Sequence, residues 1–174
     1  MLITTSCQNK EVPPSTIPFI EFVKTDIKPI LTQSGIREGD SLLVHINYTD
    51  GDSDIGNYFS AASGPSFDFF AKPYVKNNGV FKEWRPDNYL TFDGMLPKID
   101  NPKVGNIYEN GAFKITVKNK YQGEILYKLV LLAPFDEFNS IQIGDTVRFE
   151  IYIKDRAPNT SNTITTQEFI FMKP

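Results

Sequence analysis

The sequence is short of the residues from which many catalytic and disulfide-stapled proteins are built. Its 174 residues contain one cysteine, Cys7, and one histidine, His45. A single cysteine cannot form an intrachain disulfide, so cystine bridges do not hold the fold together. Without a second histidine or a nearby cysteine, a zinc centre or a cysteine-based catalytic site lacks its parts. We therefore expect a protein without enzymatic activity.

Long apolar runs and basic clusters are absent as well. No stretch approaches the ~20 apolar residues that a membrane-spanning helix requires. The net charge is −3 and Lys and Arg are dispersed, which argues against nucleic-acid binding. Hydrophobic residues make up 40% of the chain and aromatic residues 13%, as in a globular protein. The length fits one domain with an ordinary core.

The N-terminus carries the features of an exported, lipid-anchored protein. Residues 1–7 are similar to the end of a signal peptide with a lipobox, in which Cys7 becomes the lipid-bearing first residue. Residues 8–16 contain Pro13-Pro14 and have the composition of an extended tether. The predicted organisation is a residual signal peptide over 1–7, a tether over 8–16 and a folded domain over 17–174. We expect a lipid anchor in the bacterial outer membrane.

The folded part is predicted to be all-β. Apolar and polar residues alternate in several short segments, no segment has a helical period, and twelve prolines and eleven glycines punctuate the chain. The weaker pattern between residues 57 and 111 predicts short middle strands with long connections. Residues 125–132 are nearly all apolar, which predicts a central strand covered on both faces. The predicted strands are 17–23, 41–48, 66–75, 89–92, 112–118, 125–132, 146–154 and 164–171.

This order favours an immunoglobulin-like β-sandwich of about seven to nine strands with a long irregular middle segment. In such a sandwich the second and the penultimate strand lie in opposite sheets and end side by side. Residues 36–50 and 141–155 align without a gap, each running from a Gly-Asp turn through a strand into a loop rich in oxygen ligands. The two loops are therefore predicted to meet at one end of the sandwich.

These loops could hold calcium, which takes six to eight oxygen ligands. The predicted ligands are Asp50, Asp52, Asp54, Asp155, Asn159 and Asn162. The first loop is not an EF-hand, because Ile55 and Ala61 occupy the positions of the required glycine and glutamate. Two other interpretations stay open: Arg156 could neutralise an aspartate, or the loops could be ordinary turns.

The same two loops, with the Gly-Asp turns before them, resemble a recurrent group of Bacteroidetes lipoproteins with immunoglobulin-like or cadherin-like domains. The resemblance covers roughly residues 17–171. It implies export to the envelope and calcium at the end of the sandwich. The sequence departs from the pattern at Ser53 and Pro158, where glycine is expected.

The middle segment, residues 57–92, is rich in aromatic residues. Exposed rings could stack on sugars or anchor a protein, and Trp84, Tyr74 and Tyr89 are the candidate ligand-binding residues. Such rings could equally fill the core. The sequence thus predicts a structural or adhesive envelope module that binds another envelope protein, and the alternative is a glycan-binding accessory module.

Overall fold

A computed structural model describes residues 14–56, 67–84, 92–99, 104–133 and 141–173. Cys7 and Tyr89 lie outside these ranges. Within them the chain forms ten β-strands and no helix. The strands are β1 (Phe19–Leu31), β2 (Arg37–Thr49), β3 (Phe69–Asn77), β4 (Val80–Glu83), β5 (Ile107–Asn110), β6 (Phe113–Asn119), β7 (Gln122–Leu132), β8 (Thr146–Ile153), β9 (Ile164–Thr165) and β10 (Phe169–Ile170).

The strands form two antiparallel sheets that pack face to face as a β-sandwich. The first sheet has the order β1-β2-β7-β6-β5. The second has the order β10-β8-β3-β4, with β9 beside β8. The all-β prediction is confirmed. So is the prediction that the strand over 41–48 and the strand over 146–154 lie in opposite sheets, since these are β2 and β8.

The core lies between the inner faces of the two sheets. Alternate residues of β2 and β8 point inward, and Leu42, Ile46, Ile151 and Ile153 are fully buried. Burying each such side chain contributes roughly 1.5–3 kcal/mol. Three aromatic rings from both sheets also meet here, with centroids 4.7–4.9 Å apart. They belong to Phe69, Phe113 and Tyr127.

Several predicted strand details are wrong. β7 is central in its sheet, but Val130 and Leu132 are 45% and 53% exposed, so only one of its faces is covered. β1 runs to Leu31 rather than ending at Val23, because polar residues continue it along the edge of the sheet. The single predicted strand over 164–171 is two short strands, β9 and β10.

Two strands that the sequence analysis missed follow or precede an Asn-Gly pair. β4 follows Asn78-Gly79, whose φ angles are 51° and 81°. β5 ends at Asn110, and Gly111 begins the turn into β6. Asn-Gly favours the positive φ angles of tight hairpin turns. Asn78-Gly79 fills the two-residue turn between β3 and β4 and was therefore an available signal for that hairpin. In the second hairpin the turn is Gly111-Ala112, because Asn110 pairs with Phe113.

At the start of β2, the C-terminal segment joins the two sheets. Asp40 is fully buried, accepts a hydrogen bond from the Met172 amide at 2.7 Å and pairs with Arg37. The matching Asp145, before β8, accepts from the Phe171 amide through its backbone carbonyl at 2.8 Å. Gly39-Asp40, which lies within β2 and is not the predicted turn, and Gly144-Asp145 thus hold the same stretch of chain.

Candidate metal centre

The other end of the sandwich is formed by the loops that follow β2 and β8. Ile55 in the first loop and Asp155 in the second form an antiparallel β-bridge. The Arg156 amide also donates to the Asp54 carbonyl at 3.3 Å. Since β2 and β8 belong to different sheets, these contacts fasten one sheet to the other.

Local packing and backbone geometry shape the first loop. Ile55 is 1% exposed, so its side chain anchors the loop in the core. Ser53 has a φ of 62°, in the left-handed region that favours glycine. Gly56 has a φ of 89°, and an added Cβ there would lie 2.3 Å from the Pro97 carbonyl oxygen. The loop therefore turns sharply on both sides of its buried isoleucine.

The two loops bring four aspartates together: Asp50, Asp52, Asp54 and Asp155, which we call the acidic cluster. One carboxylate oxygen from each lies within 4.8 Å of the others. Oxygens that share a calcium ion at 2.3–2.6 Å are up to about 5 Å apart. The cluster thus has the dimensions of a calcium coordination shell, and these four aspartates could bind a metal ion.

Two carboxylates of the acidic cluster each have one oxygen that accepts a hydrogen bond from the protein and one that does not. Asp50 is fully buried, and its Oδ2 accepts from the Asp54 amide at 2.8 Å. Asp54 Oδ2 accepts from the Ala157 amide at 3.1 Å. The remaining oxygens, Asp50 Oδ1 and Asp54 Oδ1, are buried and accept no hydrogen bond. A buried oxygen without a partner is costly, and a cation would remove that cost.

The raised pKa values of two aspartates in the cluster also favour a bound cation. Two causes raise the pKa of Asp50 to about 7: burial comes first, and next the Asp52 carboxyl, with which Asp50 can share a hydrogen bond only while one of the two is protonated. Burial, followed by repulsion from Asp155 and Asp52, also raises the pKa of Asp54. Carboxylates whose ionised form is disfavoured need a compensating positive charge to be ionised together.

Arg156 supplies only part of that charge. Its guanidinium lowers the pKa of Asp54, but burial and the neighbouring carboxylates outweigh it, and the net pKa remains raised. The guanidinium also donates to the Ser53 carbonyl at 3.5 Å. The interpretation in which Arg156 alone neutralises the loop is therefore not favoured.

The two predicted asparagine ligands have different positions. Asn159 supports the cluster, because its backbone amide and side-chain amide donate to Asp155 at 2.7 and 2.8 Å. Asn162 instead pairs with the backbone of Ile20, accepting and donating one hydrogen bond of 2.8 Å each. The Asn162 amide thus extends the pairing of edge strand β1. It is not brought into the acidic cluster.

Trp84 and Tyr74, the two aromatic candidates that the structure describes, do not form one platform. Trp84 is half-buried, packs on the core and lies 6.2 Å from Phe92, centroid to centroid. Tyr74 lies on the outer face of the second sheet, where the Arg148 guanidinium is 5.7 Å from its ring centroid. The two side chains therefore face opposite sides of the sheet. This arrangement does not favour the glycan-binding alternative.

His45 belongs to a hydrogen-bond network that the sequence did not reveal. On the outer face of the first sheet its Nε2 lies 3.0 Å from Asp26 and its Nδ1 lies 3.0 Å from Glu124. The network ties together β1, β2 and β7. Asp26 and Glu124 lie outside the predicted strands 17–23 and 125–132, so neither their strand positions nor the register that aligns them with His45 was predicted.

Comparison of the chain with protein-family models, curated proteins and solved structures gave no match. In the part of the chain that the structure describes, there is no helix with the length and apolar character to cross a bilayer.

Proposed function

We propose that the protein is a non-catalytic structural or adhesive module of the cell envelope whose two sheets are fastened at one end by calcium. The acidic cluster is the site, and Asp50, Asp52, Asp54 and Asp155 supply its side-chain ligands. Calcium suits this donor set, because the ligands are hard oxygen atoms and because four protein carboxylates exceed the one or two through which Mg²⁺, which keeps its waters, usually binds. In this role the ion is part of the fold.

The observation that carries the proposal is the buried Oδ1 of Asp50, which accepts no hydrogen bond and belongs to a fully buried carboxylate. Ordinary turn chemistry explains the Oδ2 of the same residue, which accepts from Asp54. It does not explain why a second charged oxygen is buried beside three further aspartates. A bound cation does explain it.

The envelope location rests on the sequence. The lipobox-like segment ending at Cys7 supports a lipid anchor in the outer membrane, and the tether over 8–16 supports a module held away from the bilayer. The strand orders support an immunoglobulin-like arrangement. The order β1-β2-β7-β6 corresponds to the four-stranded sheet A-B-E-D of that fold, and β10-β8-β3-β4 corresponds to its second sheet G-F-C with one added strand. Such a module would bind a neighbouring envelope protein.

The test is calorimetric titration of the purified chain with CaCl₂ at pH 7.5. We expect one site, whose heat is lost in Asp155→Asn and retained in Glu109→Gln, which removes an exposed carboxylate that pairs with Lys114 outside the cluster. Saturation at 100 times Kd would stabilise the fold by about 2.7 kcal/mol. Equal melting temperatures in EDTA and in millimolar calcium would refute the proposal.

A further inference from the structure

We infer that cation binding also fixes the segment before β1, residues 14–16, against the module, so that the ion controls how the predicted tether leaves the fold. The inference rests on the proposed calcium site and names a regulatory role for it. It is carried by contacts between this segment and the two loops of the acidic cluster.

The first loop holds the segment through Gly51. The Gly51 amide donates to the Ser15 carbonyl at 2.8 Å. The backbones are so close that a Cβ on Gly51 would lie 2.1 Å from the Pro14 carbonyl oxygen and 2.7 Å from that of Ser15. Gly51 stands between Asp50 and Asp52 in the chain, so the segment touches the peptide that links two of the predicted ligands.

The second loop holds the segment through Asn159. Its side-chain nitrogen lies 3.5 Å from the Thr16 carbonyl and 2.8 Å from Asp155 Oδ2. The same amide group therefore joins a ligand carboxylate to the segment. Residues 14–16 are thus in contact with both loops. The contact with Gly51 is one residue away from Asp50 and Asp52, and the contact with Asn159 is one hydrogen bond away from Asp155.

These contacts hold the carbonyl oxygens of Ser15 and Thr16 against groups that adjoin the carboxylates, the Gly51 amide and the Asn159 side chain. Carbonyl oxygens carry partial negative charge, so this approach is unfavourable beside ionised aspartates alone and becomes favourable when a cation neutralises them. The cation also holds Asp50, Asp52 and Asp155 in the positions from which Gly51 and Asn159 reach the segment. Ion binding and docking of residues 14–16 are therefore coupled, and the coupling is reciprocal.

Gly51→Ala separates docking from ion binding. The φ of Gly51 is not positive, so alanine suits the backbone, while its Cβ collides with the Pro14 carbonyl and leaves all four carboxylates in place. Thr16→Ala is the matched control, because it changes an exposed side chain of the same segment and keeps every carbonyl.

The experiment measures ¹⁵N heteronuclear NOE values of Ser15 and Thr16 and the hydrogen-exchange rate of the Gly51 amide, on the full chain with calcium and with EDTA. With calcium we expect NOE values as high as those of the strands and slow exchange of the Gly51 amide. With EDTA we expect low NOE values and at least tenfold faster exchange of that amide. In Gly51→Ala, Ser15 and Thr16 should stay mobile with calcium, and calorimetry should show calcium bound about 5-fold more weakly, in the usual range of coupling between sites. Thr16→Ala should behave as the wild type.

Each outcome separates the two proposals. Absence of calcium heat in the wild type would remove both. Calcium heat with identical NOE values in calcium and EDTA would overturn the docking inference and leave the calcium site standing, and this comparison needs no variant. Wild-type affinity and a rigid segment in Gly51→Ala would overturn it as well.

Discussion

Asp54 and Asp155 follow strands of opposite sheets, yet their carboxylates are close enough for the charge of Asp155 to help raise the pKa of Asp54. The β-bridge between Ile55 and Asp155 holds them there. The loops could have turned apart and left each carboxylate in water. Instead the fold brings like charges together across the joint between its sheets, and five predictions follow from this end of the sandwich and the opposite one.

The stability of the calcium-free protein should depend on pH through Asp50. Its pKa is raised from 3.8 to about 7, so between these values the folded state keeps a proton that the unfolded state has released. The free energy of unfolding should therefore fall as pH rises from about 4 to 7 and level off above 7. Urea denaturation in EDTA at pH 5 and pH 8 measures this. In Asp50→Asn the free energy of unfolding should differ less between pH 5 and pH 8 than in the wild type. An unchanged difference would contradict the raised pKa of Asp50.

Calcium affinity should show the opposite dependence on pH. The proton on Asp50 competes with the cation, so Kd should rise about tenfold for each pH unit below 7 and become constant above it. Titrations at pH 5.5, 6.5 and 8 test this. A Kd that does not change over this range would show that Asp50 is not a ligand.

Asp50→Asn should make the calcium-free protein more stable while it impairs calcium binding. The amide oxygen can still accept from Asp54, and the charge that burial and Asp52 disfavour is removed. We expect a gain of about 1–3 kcal/mol at pH 8 in EDTA and the loss of most stabilisation by calcium. Chemical denaturation with and without calcium checks both parts. Destabilisation in EDTA would mean that the carboxylate is needed by the fold itself.

Asn162→Ala should destabilise the protein without affecting the cation site. It removes both hydrogen bonds to Ile20, which costs about 1–2 kcal/mol. Kd for calcium should stay within twofold of the wild type. Thr163→Ala, an exposed neighbour, is the control. A large loss of calcium affinity would show that Asn162 is a calcium ligand after all.

Asp40→Ala should destabilise the docking of the C-terminal segment at the end of the sandwich opposite the acidic cluster. It removes the acceptor of the Met172 amide and the partner of Arg37, at a cost of about 3 kcal/mol. Hydrogen exchange of the Met172 amide should accelerate. Calcium affinity should change little, because β2 separates Asp40 from Asp50 by about 33 Å at 3.3 Å per residue. A strong loss of calcium binding would show that the two ends are coupled.

The sequence predicted the parts of this structure that rest on local alternation. The inward residues of β2 and β8 have a clear two-residue period, and the gapless match of residues 36–50 with 141–155 predicted where the acidic loops meet. β7 was misjudged, because a run of apolar residues does not reveal that Val130 and Leu132 face solvent. Asn162 has the same ligand chemistry as Asn159, and only the edge of β1 decides its role. The register that places His45 between Asp26 and Glu124 is likewise a tertiary property.

The two Gly-Asp pairs and the acidic cluster lie at the two ends of the matched segments, and they differ in how their carboxylates are satisfied. Asp40 finds its partners in Arg37 and the Met172 amide, within the protein. The end at Asp50 draws on dissolved cations. Depleting them would loosen the sandwich at that end first, where residues 14–16 and the two acidic loops meet.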